Sequence, residues 1–454
     1  VQPANRVRTR QFPREAKSPV RTDPRNVKLT HERSVLARLL LPGQPLNEDP
    51  LEELAGLAKT AGTDVMGGLV QRRGEPVAAT YLGKGKVEEL RQLVRQQDAD
   101  VVIFDNDLTP AQTRNLETAT KCKVLDRTEL ILDIFASNAR THEARLAVEL
   151  AQLEYSLPRL KRMWTHLSRQ SMGVGMRGPG EKQLEVDRRL AERRIHELRL
   201  DLQKVERRRE RMVASRQGHA TVSLVGYTNA GKSTLMNALT GSNVEAADKL
   251  FATLDTRTRR WQLPGWGAVL LSDTVGFIRD LPHSLIASFK ATLEEARQAD
   301  LLLHVADASS PNVFEQIGSV YKVLEEIGIE AKDTLLVLNK IDRLETPQPL
   351  DRILERYPHA VPVSARRGDG LGRLQQIVGE ALSREFLDLE VEVDPADGKL
   401  LAHLSAHGEI LSRQVNDDRL LVHVRLPGRA LGLVKQSALA VRRHDTRQPL
   451  GEVA

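Results

Sequence analysis

Nine consecutive residues constrain this chain more than any others: Gly226, Tyr227, Thr228, Asn229, Ala230, Gly231, Lys232, Ser233 and Thr234. The apolar run 220–225 before them reads as a buried strand, and 235–239 after them reads as a helix. Strand, glycine loop and helix, with Gly-x-x-x-x-Gly-Lys-Ser spacing, form a phosphate-binding P-loop. Successive loop N–H groups and the helix N-terminus make a positive cradle for phosphates. Gly226 and Gly231 let the backbone approach, Lys232 is placed to reach β/γ-phosphates, and Ser233 offers a hydroxyl to Mg²⁺.

The residues that follow extend this reading. Apolar strands at 268–272, 334–338 and 361–363 are each followed by a polar motif, and a further buried strand is expected at 301–306. In open α/β sheets ligands sit at the carboxyl ends of strands, so these motifs should converge on one pocket. Asp273, Thr274, Val275 and Gly276 form the Asp-x-x-Gly element, with Asp273 expected to hold Mg²⁺ through water and the Gly276 N–H to face the γ-phosphate. Phe251, Ala252, Thr253, Leu254 and Asp255 occupy the switch position, and Thr253, rather than its competitor Thr256, is the expected Mg²⁺ ligand. Asn339, Lys340, Ile341 and Asp342 select the base. A carboxylate accepts two hydrogen bonds from guanine, whereas adenine lacks that donor pair. Ser364, Ala365 and Arg366 complete the expected guanine site.

Composition bounds the rest. At 454 residues the chain is long enough for about three domains. Its single cysteine, Cys122, excludes a disulfide framework. No apolar run approaches ~18 residues, and the N-terminus shows no signal-peptide core. A cytoplasmic protein without a membrane span is expected.

Residues 1–33 are rich in arginine and proline and poor in apolar residues, and read as a disordered basic tail. Strands at 35–41, 64–70, 100–104 and 122–125 alternate with helices at 50–61, 87–96 and 110–119. This pattern predicts a small parallel α/β domain over 34–140. Its Gly83-Lys84-Gly85-Lys86 turn is a weak phosphate loop, and ATP at this domain is the partner it would imply. Over 141–217 two long helices are expected to form an antiparallel hairpin. Leu146, Leu150, Leu153 and Leu157 line the first, with Pro158 expected to end or kink it; Ile195, Leu198 and Leu202 line the second. Residues 155–217 carry seventeen Lys and Arg against eight Asp and Glu, an excess of +9 that exceeds the +6 of the whole chain. Arg188, Arg189, Arg193 and Arg194, with Arg177 at the glycine-rich tip, are the expected RNA contacts. The P-loop domain should span 218–385, and a small α+β domain 386–454. The fold class is therefore α/β: a P-loop GTPase domain preceded by a parallel α/β domain and a hairpin, and followed by an α+β module.

At these residues the chain resembles the HflX family, in the Obg–HflX group of translation-factor-class GTPases. The resemblance rests on Gly226 to Ser233, on Phe251 to Asp255 and on Asp273 to Phe277. It continues through Asp107-Leu108-Thr109-Pro110-Ala111-Gln112, Asn138-Ala139-Arg140-Thr141-x-Glu143 and Gly178-Pro179-Gly180-Glu181. It implies a GTPase that binds the large ribosomal subunit through ribosomal RNA and splits or rescues stalled or idle ribosomes. The alternative is an RNA-remodelling ATPase or RNA chaperone that the GTPase domain regulates.

Overall fold

The computed structural model describes residues 32–43, 49–163, 179–214, 220–242, 250–251, 256–264, 266–279, 295–326, 328–329, 334–416 and 419–444. The expected basic tail, the hairpin tip with Arg177, and Ala252 to Asp255 lie outside these residues. The chain divides into two compact units, the first built mainly on residues up to 202.

In the first unit, β1 (Arg33–Leu40), α1 (Glu52–Thr60), β2 (Asp64–Arg72), α2 (Lys84–Gln97), β3 (Val101–Phe104), α3 (Pro110–Thr120) and β4 (Lys123–Leu125) alternate along the chain. The four strands form a parallel sheet in the order β2-β1-β3-β4. Both faces of a parallel sheet are covered, so β1 and β3 are buried almost end to end. Helix α3 begins with a full capping box: Thr109 accepts from the Gln112 N–H, and the Gln112 side chain accepts from the Thr109 N–H.

Helix α4 (Arg127–Asn138) escapes a periodicity reading because seven of its residues are buried, leaving no clear polar face. Helix α5 (His142–Met163) runs on through Pro158 instead of ending there. Contacts beside the proline hold it. Arg159 stacks 3.4 Å over the Tyr155 ring, donates to the Leu108 carbonyl and pairs with the buried Asp126 at 2.9 Å. Helix α6 (Pro179–Ala214) sets Ile195 and Leu198 against Leu146 and Leu150 of α5. Arg194 and Arg199 reach across to Glu149 and Glu154, each at 2.7 Å.

The core of the first unit contains charge. Asp105, at the end of β3, accepts from Arg38 Nε at 3.1 Å and from Arg127 Nη1 at 2.5 Å, while Arg127 also pairs with Glu53. All three of Arg38, Asp105 and Arg127 are buried.

The second unit carries a six-stranded sheet, β10-β9-β8-β5-β7-β6. Its parts are β5 (Thr221–Gly226), α7 (Lys232–Thr240), β6 (Arg257–Leu263), β7 (Gly267–Asp273), β8 (Leu301–Asp307), α8 (Val313–Glu326), β9 (Thr334–Asn339), α9 (Gln348–Arg356), β10 (Val361–Pro362) and α10 (Leu371–Glu385). Only β6 runs antiparallel to its neighbour. The short, charged α9 gave no clear apolar run in the sequence.

Helix α10 passes directly into β11 (Phe386–Val393), which opens a module completed by α11 (Gly398–His407), β12 (Glu409–Asn416), β13 (Arg419–Pro427), α12 (Leu431–Ser437) and β14 (Ala440–Arg443). Its antiparallel order β12-β13-β11-β14 is that of a split β-α-β unit. Arg425 of β13 stacks 4.1 Å over Trp266, at the β6–β7 turn, and donates to the Trp266 carbonyl. That contact and the edge-on packing of Phe386 on Trp266 fix the module to the larger sheet.

Replacing Asp105 by Ala removes the carboxylate that two buried guanidinium groups share, a loss on the order of 3–5 kcal/mol. Native-state hydrogen exchange should show the protection of β1 and β3 falling by that amount. A change below about 1 kcal/mol would contradict the role given to this carboxylate.

Candidate nucleotide site

The site begins where β5 stops. Gly226 is its last residue, and Tyr227 leaves the strand in a parallel bridge with Phe277. The Thr228 N–H donates to the Phe277 carbonyl at 2.6 Å, and the Phe277 N–H donates to the Gly226 carbonyl at 3.0 Å. The loop before α7 and the Asp-x-x-Gly segment after β7 are thereby tied backbone to backbone. A Cβ on Gly276 would lie 2.9 Å from Lys232 Nζ and from Thr228 Cα, so only glycine fits there. Phe277 and Ile278 are buried.

Lys232, the first residue of α7, folds back under its own loop. Its ammonium donates to the carbonyls of Gly226 at 3.0 Å and Tyr227 at 2.9 Å. Burial pushes its pKa down to about 8, against the raising effect of Asp273. His304 of β8 is also buried; burial, helped by the Lys232 charge, holds its pKa at about 3, so the ring is neutral.

Ser233 Oγ donates to Asp273 Oδ2 at 2.6 Å, and Asp273 is fully buried at the end of β7. A hydroxyl and a carboxylate this close form a hard-oxygen donor pair. That chemistry fits Mg²⁺, which takes one or two protein oxygens and completes its shell with phosphate and water. Thr274 turns inward, its hydroxyl donating to the Leu224 carbonyl at 2.6 Å. Val275 is buried beside it.

The residues expected to select the base gather around Asn339, the last residue of β9. Its Nδ2 donates to the Ala230 carbonyl at 2.9 Å, and its Oδ1 accepts from the Ala365 N–H at 3.0 Å. One amide thus joins the P-loop to the Ser364–Ala365 turn. A side chain on Gly231 would collide with this amide, and Gly231 also has φ +92°. Lys340 pairs with Asp307 at 2.8 Å. Ser364 Oγ donates to Asp342 Oδ1 at 2.7 Å, and this bond holds the Asp342 carboxyl below its usual range. Ile341 packs beneath, against the Ala306 and Leu338 cluster. Arg366 is exposed on the turn after Ala365.

Other sequence-selected residues lie elsewhere. Phe251 belongs to the first unit, buried edge-on against Phe135 at 4.6 Å, with Asn138 Nδ2 donating to its carbonyl at 3.0 Å. Arg188, Arg189, Arg193 and Arg194 are all exposed; Arg188 pairs with Glu192 and Arg194 with Glu149, both at 2.7 Å. In the Gly83 turn, the Gly83 N–H is taken by Gln71 at 2.9 Å and the Lys86 ammonium by Glu89 at 2.7 Å. Sequence reasoning missed the Asn339 tie and the buried His304. In the sequence Asn339 reads only as part of a base motif, and a lone histidine on an apolar strand carries no signal.

A phosphate chain seated on the loop gives Lys232 an anionic partner and raises its pKa from about 8. Guanine-nucleotide binding should therefore take up a proton at pH values above 8 and none near pH 6.5, and affinity should fall as pH rises through that window. Calorimetry in buffers of different ionisation enthalpy measures this. Proton release on binding at the higher pH would contradict it.

Family models and sequence relatives converge on the same assignment. Three family models match in succession: "GTP-binding GTPase N-terminal" over residues 48–136, "GTP-binding GTPase Middle Region" over 138–216 and "50S ribosome-binding GTPase" over 221–340. The chain is 47% identical over 400 residues to the GTPase HflX of Escherichia coli K12, covering 87% of this chain and 94% of that relative. It is 48% identical over 385 residues to the GTPase HflX of Magnetococcus marinus, covering 84% and 89%. Among solved structures it is similar to a GTP-binding protein of Sulfolobus solfataricus in complex with GDP, at 25% identity and a TM-score of 0.40, covering 77% of this chain and 99% of that one. With P-loop, Asp-x-x-Gly and Asn-Lys-x-Asp joined in one pocket, the chain belongs to the HflX family and is a GTP hydrolase of the translation-factor class.

Proposed function

We propose that this GTPase works on the large ribosomal subunit, binding ribosomal RNA and separating or rescuing stalled or idle ribosomes. The observation that carries the reading is the match of residues 221–340 to the family described as "50S ribosome-binding GTPase". The +9 excess over residues 155–217 supports it, since phosphate neutralisation by Lys and Arg drives RNA affinity. Arg188, Arg189, Arg193 and Arg194 of α6, all exposed, are the described arginines expected to make such contacts.

In this reading Gly226 to Thr234 cradle the phosphates, Lys232 reaches the β/γ-oxygens, the Gly276 N–H faces the γ-phosphate, and Asn339 and Asp342 hold the guanine. Ser233 and Thr253 would hold Mg²⁺, with Asp273 acting through water. When bound, the ion neutralises charge between the β- and γ-phosphates. The residue after Asp-x-x-Gly in many GTPases is a glutamine that orients the attacking water. Here it is Phe277, buried and bridged to the P-loop, with no side-chain hydrogen bond to offer. Hydrolysis by the protein alone is therefore slow, and the ribosomal partner completes the site.

Adding purified large subunits should raise GTP turnover by roughly 10³-fold or more, within the range for external completion of such a site. Changing Arg189 and Arg193 to Gln should weaken cosedimentation with those subunits and flatten its salt dependence by roughly one unit per lost contact. Turnover indifferent to large subunits would overturn the proposal.

A further inference from the structure

The absence of a water-orienting glutamine raises the question of which group serves instead, and Thr228 is positioned to do so. It is buried, with 6% of its surface exposed. Its backbone is held by the bond to Phe277. Its hydroxyl has no hydrogen-bond partner among the described residues. A buried hydroxyl left unpaired costs free energy, so the site favours a ligand that supplies the bond.

Its location is specific. A point one Cβ bond from Gly276 lies 2.9 Å from Thr228 Cγ2 and equally 2.9 Å from Lys232 Nζ. The threonine side chain, the P-loop ammonium and the Asp-x-x-Gly glycine thus lie within one small region, beside the residues proposed above to face the γ-phosphate. Rotation about χ1 exchanges the threonine methyl and hydroxyl between staggered positions, so the oxygen can reach the place the methyl now holds. Neither Phe277 nor Ile278 can compete for that role.

We propose that the Thr228 hydroxyl is a catalytic group for GTP hydrolysis, bridging the attacking water and the γ-phosphate. A hydroxyl has one donor and two acceptor sites. Its O–H donates a hydrogen bond to a γ-phosphoryl oxygen, and one lone pair accepts from the water and aims the water oxygen at phosphorus. The new bond forms between that oxygen and the γ-phosphorus, and the bond from γ-phosphorus to the β–γ bridging oxygen breaks. The water proton passes to the departing phosphate, leaving GDP and inorganic phosphate. The threonine itself is neither consumed nor charged. The proposal rests on the phosphate placement described above.

Single-turnover GTP hydrolysis and GDP affinity, measured on the full chain, test it with Thr228→Val, Thr228→Ser and Lys232→Ala. Valine keeps the shape and removes the hydroxyl; serine keeps the hydroxyl. Losing one transition-state hydrogen bond should slow the valine variant about 10-fold or more, with GDP affinity within about twofold of the parent. Serine should restore the rate to within about threefold. A role in packing alone predicts the reverse order, because valine fills the threonine site better than serine does. Parental turnover in Thr228→Val, or a serine variant no faster than valine, overturns the proposal. Lys232→Ala should abolish nucleotide binding; if binding persists, the phosphate placement is at fault and the proposal falls with it.

Discussion

Burying an ammonium group is tolerable only where the surroundings return the hydrogen bonds that water gave it. Lys232 meets that condition with the carbonyls of Gly226 and Tyr227, the same backbone that turns out of β5 to form the loop. The lysine therefore shapes its own binding loop, and the loop in turn receives Phe277 in a strand-like bridge. The geometry of the Asp-x-x-Gly segment, the enclosure of Asp273 and the tight fit around Gly276 all follow from that arrangement. In the proposed function a nucleotide arriving here would exchange those carbonyl partners for phosphate oxygens, coupling its binding to the bridge between β5 and the segment after β7.

The opposite end of the pocket is organised by a neutral group. Asn339 uses both ends of one amide, donating to Ala230 and accepting from Ala365. A buried amide with both partners in place is rigid, because losing either bond leaves a desolvated polar atom. Asp342 inherits that rigidity through Ser364. The two ends thus differ in kind: a buried ammonium held by backbone carbonyls, and a neutral, fully hydrogen-bonded amide frame.

Legibility in the sequence followed physical lines. The P-loop, Asp-x-x-Gly and Asn-Lys-x-Asp were readable because phosphate and guanine chemistry demands specific residues at specific spacings. The alternating strands and helices of the first unit were readable from periodicity. Helix α4 was not, because a helix buried on most sides loses the polar face that marks it. The run of α5 through Pro158 was not, because Arg159 brings Tyr155, Leu108 and Asp126 together from three places in the chain. The Asp105 network and the seating of Arg425 on Trp266 were hidden for the same reason. Charge counting identified α6 as basic, but could not show that Arg188 and Arg194 face glutamates.

The account stands or falls on guanine recognition at Asp342, since the phosphate cradle alone would accept any nucleoside triphosphate. Calorimetric titration of the parent and the Asp342→Asn variant with GDP and xanthosine diphosphate tests this directly. An asparagine presents one donor and one acceptor, which suits the carbonyl that xanthine carries where guanine has its amine. The variant should lose GDP affinity by about 100-fold, the scale of leaving buried polar groups unpaired, and should gain affinity for the xanthine nucleotide. GDP affinity equal to that of the parent would show that the base is not read by this carboxylate, and would contradict the site as built here.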